Sequence, residues 1–307
     1  MNIVLQITPK RDVELFNDRA ACIQNFIDTP PVQKTKDFVQ SFFNLLTYKT
    51  ASLRAFPDAE IESLTQLSKE DLSKKRLIVC IHGLCGAPHE FKVALDALKS
   101  KDLPDTAIYI PYVPNKGKDR LDEMADEIFK SIGAWASAEG DRKELVLIGV
   151  SNGARISRAI ETKLTEENRG KIEALRVVSV VGARRGSSLV NLACRFGFAW
   201  AVSWVISKPI VEEMPMDSER NRQLDENWNR WIKTGAKDLK CDFTFLASAF
   251  DAHVPDHASS LPLMPENIKA RYGIISDHGH FTAIDGAAST IADLLAPPLG
   301  QDEPKEE

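Results

Sequence analysis

Long apolar runs are missing from these 307 residues. No uninterrupted stretch reaches the 18 or more residues that a membrane-crossing helix needs, so none is expected. A signal-peptide apolar core is missing too, because Lys10, Arg11, Asp12 and Glu14 interrupt the early sequence; a cytoplasmic location is the expectation. Cysteine is sparse and odd in number: Cys22, Cys80, Cys85, Cys194 and Cys241. Four residues separate Cys80 from Cys85, too many for a thioredoxin-type pair, and no second pair completes a zinc site. Free thiols in a reducing compartment are expected. There is no excess of basic charge, with 39 Lys and Arg against 44 Asp and Glu and a net charge of -5. That argues against a nucleic-acid partner, which needs a basic face. Histidine is scarce at six residues, so each is a candidate to be weighed singly.

What remains is ordinary for a soluble globular chain: 43% apolar and 27% charged residues, in a length suited to one large α/β domain or two small ones. Residues 1–75 carry no catalytic signal and are expected to form an N-terminal helical extension. Within them Phe38, Phe42, Leu45 and Leu46 recur at helical spacing over 32–48. From Arg76 the pattern changes. LIVCI (77–81), AIYI (107–110), LVLIG (145–149), LRVVSVV (175–181), FTFLASAF (243–250) and YGII (272–275) are continuous apolar runs, as strands buried on both faces require. Helical stretches at about 88–99, 119–137 and 152–164 separate most of them. Strands alternating with helices predict a mostly parallel central sheet flanked by helices. About sixty residues lie between Val181 and Phe243, far more than a plain crossover needs. They predict a cap or lid insertion over about 187–240, where four of the five tryptophans fall: Trp200, Trp204, Trp228 and Trp231. The main domain is expected over 76–296, and an acidic, disordered tail over 297–307.

The chemistry centres on Gly149-Val150-Ser151-Asn152-Gly153. A bare G-x-S-x-G is weak, but here a buried-type strand precedes it and a helical segment follows. A sharp strand-to-helix turn would push the Ser151 hydroxyl above the sheet edge, and the small residues Gly149 and Gly153 would let the backbones close. A serine hydroxyl needs a base to take its proton, and histidine has a suitable pKa. His278 and His280 both follow the last strand; His280 is favoured because it leads directly into FTAI. The imidazole needs a carboxylate to fix its tautomer. Asp251, at the end of FTFLASAF, is favoured over Asp256 and Asp277. Developing negative charge needs N–H donors, placed at Asn152 and at Leu84 in the loop His82-Gly83-Leu84-Cys85-Gly86. His82 is read as a structural member of that loop.

These pieces resemble the α/β-hydrolase superfamily, and within it the lipase-like serine esterases. The motifs IVCIHGLCGAPHEF, LIGVSNGARIS, FDAHVPDHASS and DHGHF carry the likeness over about residues 76–295. VVGARRGSSLVNL is similar to a lipase segment that follows the sixth strand, with the proline absent and the glycine offset. The resemblance implies an α/β-hydrolase fold with a cap after the sixth strand. It implies acyl hydrolysis through an acyl-enzyme, without metal or organic cofactor. The partner expected is a small acyl ester or lipid-like substrate, with peripheral membrane contact through the apolar FGFAWAVSW stretch as a further option. Thioester chemistry, acyl transfer and a non-catalytic binding role stay open. Arg184 and Arg185 are read as a solvated loop in preference to an anion-binding mouth of the site.

Overall fold

Each of the six apolar runs becomes a strand, and a seventh strand joins them. The computed structural model describes residues 13–28, 58–140, 143–188, 190–191, 207–248, 251, 253–254, 256–276 and 278–296. The strands are β1 (Val13–Phe16), β2 (Arg76–Ile81), β3 (Thr106–Tyr109), β4 (Lys143–Val150), β5 (Ile172–Val180), β6 (Lys240–Ser248) and β7 (Lys269–Ile275). They form one sheet in the order β1-β7-β6-β5-β4-β2-β3. All neighbours run parallel except β1, which pairs antiparallel with β7. The described helices are α1 (Arg19–Asp28), α2 (Ala59–Ser63), α3 (Lys69–Ser73), α4 (Lys92–Lys99), α5 (Leu121–Ser137), α6 (Asn152–Glu161), α7 (Lys208–Glu213), α8 (Glu219–Thr234), α9 (His257–Ser260) and α10 (Ala283–Leu295). None is long and apolar enough to cross a membrane.

Continuous apolar strands follow from cover on both faces. Every residue of β2 and β4 is buried. Alternate residues divide them between two cores, as the two-residue period of a strand requires. Leu77, Val79, Ile81, Leu145 and Leu147 meet α5, α6 and α8. Ile78, Cys80, Val146 and Ile148 meet α4 and α10 on the other side. The neighbours β2 and β4 therefore send their following helices to opposite faces. Their ends lie level, with Ile81 paired to Gly149. A crevice opens at such a reversal beyond the carboxyl ends of the strands, and α/β sheets bind ligands there.

Two expectations change. The span 1–75 is not wholly helical, since Val13–Phe16 extends the main sheet. A four-residue VELF with one buried valine is too short to read as a strand alone; the edge of β7 supplies its partner. The 32–48 helix lies outside the described residues. The expected cap over 187–240 also divides. Within it, α8 is the β5-to-β6 crossover helix: Leu224, Trp228, Trp231 and Ile232 are buried, and Trp228 stands edge-on to Phe243 of β6 at 6.3 Å. The apolar 196–206 stretch, with Trp200 and Trp204, lies outside the described residues, as does the tail 297–307.

Candidate active site

The Gly149–Gly153 segment joins β4 to α6 in a turn that puts Ser151 at φ 53° and ψ -121°. A non-glycine residue there costs about 1–3 kcal/mol, so its surroundings must hold it. The Ser151 N–H donates to the Val180 carbonyl at 3.1 Å, and the Ser151 carbonyl accepts from the N–H groups of Ala154 and Ala183 at 3.1 and 3.0 Å. The glycines permit the closeness. A Cβ on Gly149 would stand 2.5 Å from the Ala154 Cα, and one on Gly153 would stand 2.0 Å from the Ile81 carbonyl oxygen. The start of α6 thus rests directly on the end of β2.

The hydroxyl so presented meets an imidazole. His280 Nε2 lies 2.9 Å from Ser151 Oγ. On the other side of the ring, Nδ1 lies 2.8 Å from Asp251 Oδ2. Asp251 and His280 are each 7% exposed, so water competes little for these bonds. The second carboxylate oxygen, Asp251 Oδ1, accepts the N–H groups of His253 at 2.7 Å and Val254 at 3.0 Å. Burial alone would raise the Asp251 carboxyl. The His280 ring and the two N–H donors outweigh burial and hold it below the ordinary carboxylate value. An ionised Asp251 requires the proton on Nδ1, which leaves the Nε2 lone pair facing the Ser151 hydroxyl.

The structure separates the alternatives. The His278 ring packs where a Cβ on Gly286 would stand, 2.4 Å from its Cδ2, and the His278 carbonyl accepts from Ser248 Oγ. Asp256 Oδ2 accepts the Ser188 N–H at 3.0 Å, so that oxygen is engaged away from His280. Asp277 lies outside the described residues. Ser151, Asp251 and His280 are brought together, although 129 positions separate the serine from the histidine.

The loop after β2 lies against this group. A Cβ on Gly83 would be 2.9 Å from the Ser151 Cβ and 3.4 Å from its Oγ. Leu84 comes one peptide further along. Cys85 N–H donates to the Lys116 carbonyl at 2.8 Å and Asn152 Nδ2 to the Gly117 carbonyl at 3.2 Å, tying β2, the 114–117 turn and α6 together. Among the described residues, no acceptor engages the N–H of Leu84 or Asn152; the Asn152 group belongs to the unpaired first turn of α6. Leu84 also packs against Ala183, Ile210, Met214 and Val254, a small apolar cluster built from α7 and the loops after β5 and β6.

His82 has a different place. Its Nε2 accepts the Val113 N–H at 3.1 Å, so the proton is on Nδ1, which donates to the Gly83 carbonyl at 2.9 Å. Burial pushes its pKa down to about 4. A neutral ring bonded on both sides is a strut for the loop. His253 carried no role in the sequence reading. Its ring lies 4.8 Å from that of His280, and Phe281 stands edge-on to both at 5.0 and 5.4 Å. Burial, then the neighbouring His280, pushes His253 down to about 4. The spacing Asp251-x-His253 was the available signal, since the residue that follows a strand-end acid by two stays beside it.

Asp251, His253 and His280 each offer a metal-ligating atom within 4.8 Å of the others. Two donors of one tetrahedral zinc stand about 3.3 Å apart. The 2.8 Å between Asp251 and His280 is instead hydrogen-bond geometry.

No family model matches the chain, and no curated protein matches it. Solved structures do. Lipase B of Aspergillus fumigatus is 10% identical over 70% of this chain and 50% of its own, with a TM-score of 0.46. This chain therefore spans half the length of that lipase. A lipase-esterase related protein of Clostridium acetobutylicum is 10% identical over 73% and 94%, with a TM-score of 0.43. A peroxisomal alpha-beta-hydrolase of Saccharomyces cerevisiae is 14% identical over 78% and 84%, with a TM-score of 0.43. On its own strand order, on the serine at the strand-to-helix turn after β4, and on the chain order Ser151, Asp251, His280, this chain has the α/β-hydrolase fold.

Proposed function

We propose that this protein is a serine hydrolase that cleaves carboxylic esters through an acyl-enzyme. The observation that carries the reading is the unbroken chain Asp251–His280–Ser151, at 2.8 and 2.9 Å, ending on a serine at φ 53°. In this reading His280 Nε2 takes the Ser151 proton as Oγ attacks the acyl carbon. Asp251 holds the tautomer and stabilises the imidazolium. The Leu84 and Asn152 N–H groups face the developing oxyanion. His280 then gives its proton to the departing alcohol. Water, deprotonated by the same ring, attacks the acyl-enzyme and releases the acid.

The apolar cluster of Ile210, Met214, Ala183 and Val254 beside Leu84 favours an uncharged, apolar acyl group. Burial pushes the thiols of Cys22, Cys80 and Cys241 up to about 12. They are protonated and poor nucleophiles, so Ser151 is the nucleophile to test. These thiols are free, which suits a reducing, cytoplasmic setting.

The test is labelling by a fluorophosphonate probe, followed by turnover of p-nitrophenyl esters of graded chain length beside acyl-CoA thioesters. Wild type is expected to label and to hydrolyse esters faster. Ser151→Ala is expected to fold, not label and not turn over. Labelling that persists in Ser151→Ala refutes the nucleophile, and faster thioester turnover moves the substrate class.

A further inference from the structure

On the sheet face that carries α6 and α8, a cavity of about 220 Å³ opens beside α1 and α9. Four guanidinium groups line it: Arg19, Arg158, Arg184 and Arg185. Arg184 is not in solvent, as its loop position suggested, but 1% exposed.

Two carboxylates answer three of the four cations. Glu161, fully buried, accepts both terminal nitrogens of Arg184 at 2.9 and 2.7 Å and the Trp228 indole N–H at 2.6 Å. Asp225 accepts Arg158, and Arg185 at 3.0 and 2.8 Å. Arg19 gives its Nε to a neutral carbonyl, that of Leu261, at 2.6 Å. Four arginines thus line the cavity beside one lining carboxylate, Asp225, with Glu161 buried against Arg184. Burial first, and then the Arg184 charge, push the Arg158 pKa down to about 10, against the opposing pull of Asp225 and Glu161. The Trp228 ring lies 4.9 Å from the Arg158 guanidinium, and Pro262 and Leu263 form an apolar wall.

We propose that this cavity binds a phosphomonoester group. A phosphate dianion gains more from a wall of guanidinium groups than a singly charged carboxylate does. Planar guanidinium forks match phosphate oxygens in pairs. The volume is below the 300–1,000 Å³ or so of a drug-sized pocket, so it admits a headgroup. An attached organic portion would leave over the Pro262–Leu263 wall, where Leu263 is 75% exposed. The group can come from a free metabolite or from a lipid headgroup, since both present the same dianion.

The experiment is calorimetric titration of the full chain at constant ionic strength in chloride. The probes are inorganic phosphate, glycerol 3-phosphate, acetate, and phosphatidylcholine vesicles with and without phosphatidic acid. Phosphate and glycerol 3-phosphate are expected to bind saturably, acetate much more weakly, and phosphate is expected to raise the melting temperature. The double variant Arg19→Gln/Arg185→Gln, which leaves the buried Arg158 and Arg184 in place, should weaken binding about tenfold or more. Arg222→Gln on the exposed side of α8 should leave it unchanged. Binding confined to phosphatidic acid vesicles upholds the site with a lipid source, and soluble binding upholds it with a metabolite source. Absence of saturable binding to every phosphate probe overturns the proposal. So does equal binding by the double variant, or acetate binding as tightly as phosphate. If the double variant does not fold, Arg19→Gln alone decides: unchanged affinity overturns the proposal and a severalfold loss upholds it.

Discussion

Replacing Gly153 by alanine adds a single methyl group, and the structure gives it nowhere to go. That Cβ would stand 2.0 Å from the Ile81 carbonyl oxygen and 2.8 Å from that of His82. Ordinary contact begins near 3.4 Å, so about 1.4 Å must open between the start of α6 and the end of β2. Both obstacles are backbone within buried elements, so no side chain can swing aside. Overpacking of this kind costs about 1–3 kcal/mol, and a backbone clash belongs at the upper end. The same displacement carries Ser151, which precedes α6, away from His280 Nε2 at 2.9 Å. A misplacement of about 1 Å can cost on the order of 100-fold in rate. Urea unfolding should show a loss of about 3 kcal/mol, and ester turnover should fall at least 100-fold in the fraction that remains folded. Gly133→Ala is the internal control. It lies inside α5 with nothing within 4 Å of the added Cβ, and should stabilise by up to about 1 kcal/mol through helix propensity. A Gly153→Ala protein with the urea midpoint and turnover of wild type would refute the reasoning.

His280→Ala should lower kcat/KM by about three or more orders of magnitude, whereas His278→Ala should change it by less than about tenfold; steady-state ester kinetics on both variants check this, and the reverse order would reassign the base. Asp251→Asn keeps the size of the side chain but removes the charge that fixes the His280 tautomer, so kcat should fall about 10⁴-fold with KM little changed. Stability should also fall with acid. His82 is held neutral in the fold to about pH 4, while its unfolded form takes up a proton below about 6.5. Its folded pKa lies below its unfolded one, so the unfolded state binds more protons between those values and gains as pH drops. From pH 6.5 to pH 5 this alone removes about 1.6 kcal/mol, and His253, also held down to about 4, acts in the same direction. Urea midpoints that are flat over this range would contradict the burial of His82. The depressed Asp251 carboxyl adds a further loss at lower pH, as pH falls toward its folded value.

The parallel core was legible because burial on two faces leaves no room for polar residues. LIVCI, LVLIG and LRVVSVV can be little else than interior strands, and they became β2, β4 and β5. The Ser151 turn was legible for a related reason, since glycines on both sides of a serine after such a strand have a packing purpose that a surface turn lacks. His280 and Asp251 could be narrowed because strand ends in a parallel sheet all deliver their next residues to one edge. Between neighbours, sequence offered only modest grounds for preferring His280, its place directly before FTAI. His278 and His280 differ by two positions, and only the packing of the His278 ring against Gly286 sends one toward α10 while the other reaches Ser151. Nor could VELF be assigned, because an edge strand draws its stability from the partner it finds on β7 and not from its own four residues.

Of the cap or lid expected over 187–240, α8 packs against the domain core, and 192–206 lies outside the described residues. Tryptophan-rich, amphipathic sequence in a long connection suits a lid over a site and a crossover helix under a sheet equally well, because both bury one apolar stripe. The discriminating residues were charged. Glu161 and Arg158 on α6 are buried, and charges are buried only where another element brings partners. Asp225 and the Trp228 indole on α8 answer them, which draws α8 down onto α6. Arg184 completes the set by bonding Glu161 from the loop after β5, and the next residue but one before it, Gly182, adjoins Ala183, whose N–H holds the Ser151 carbonyl. The ionic cluster therefore anchors the loop on which the strained serine leans, and replacing Glu161 should loosen both the crossover helix and the turn that presents Ser151.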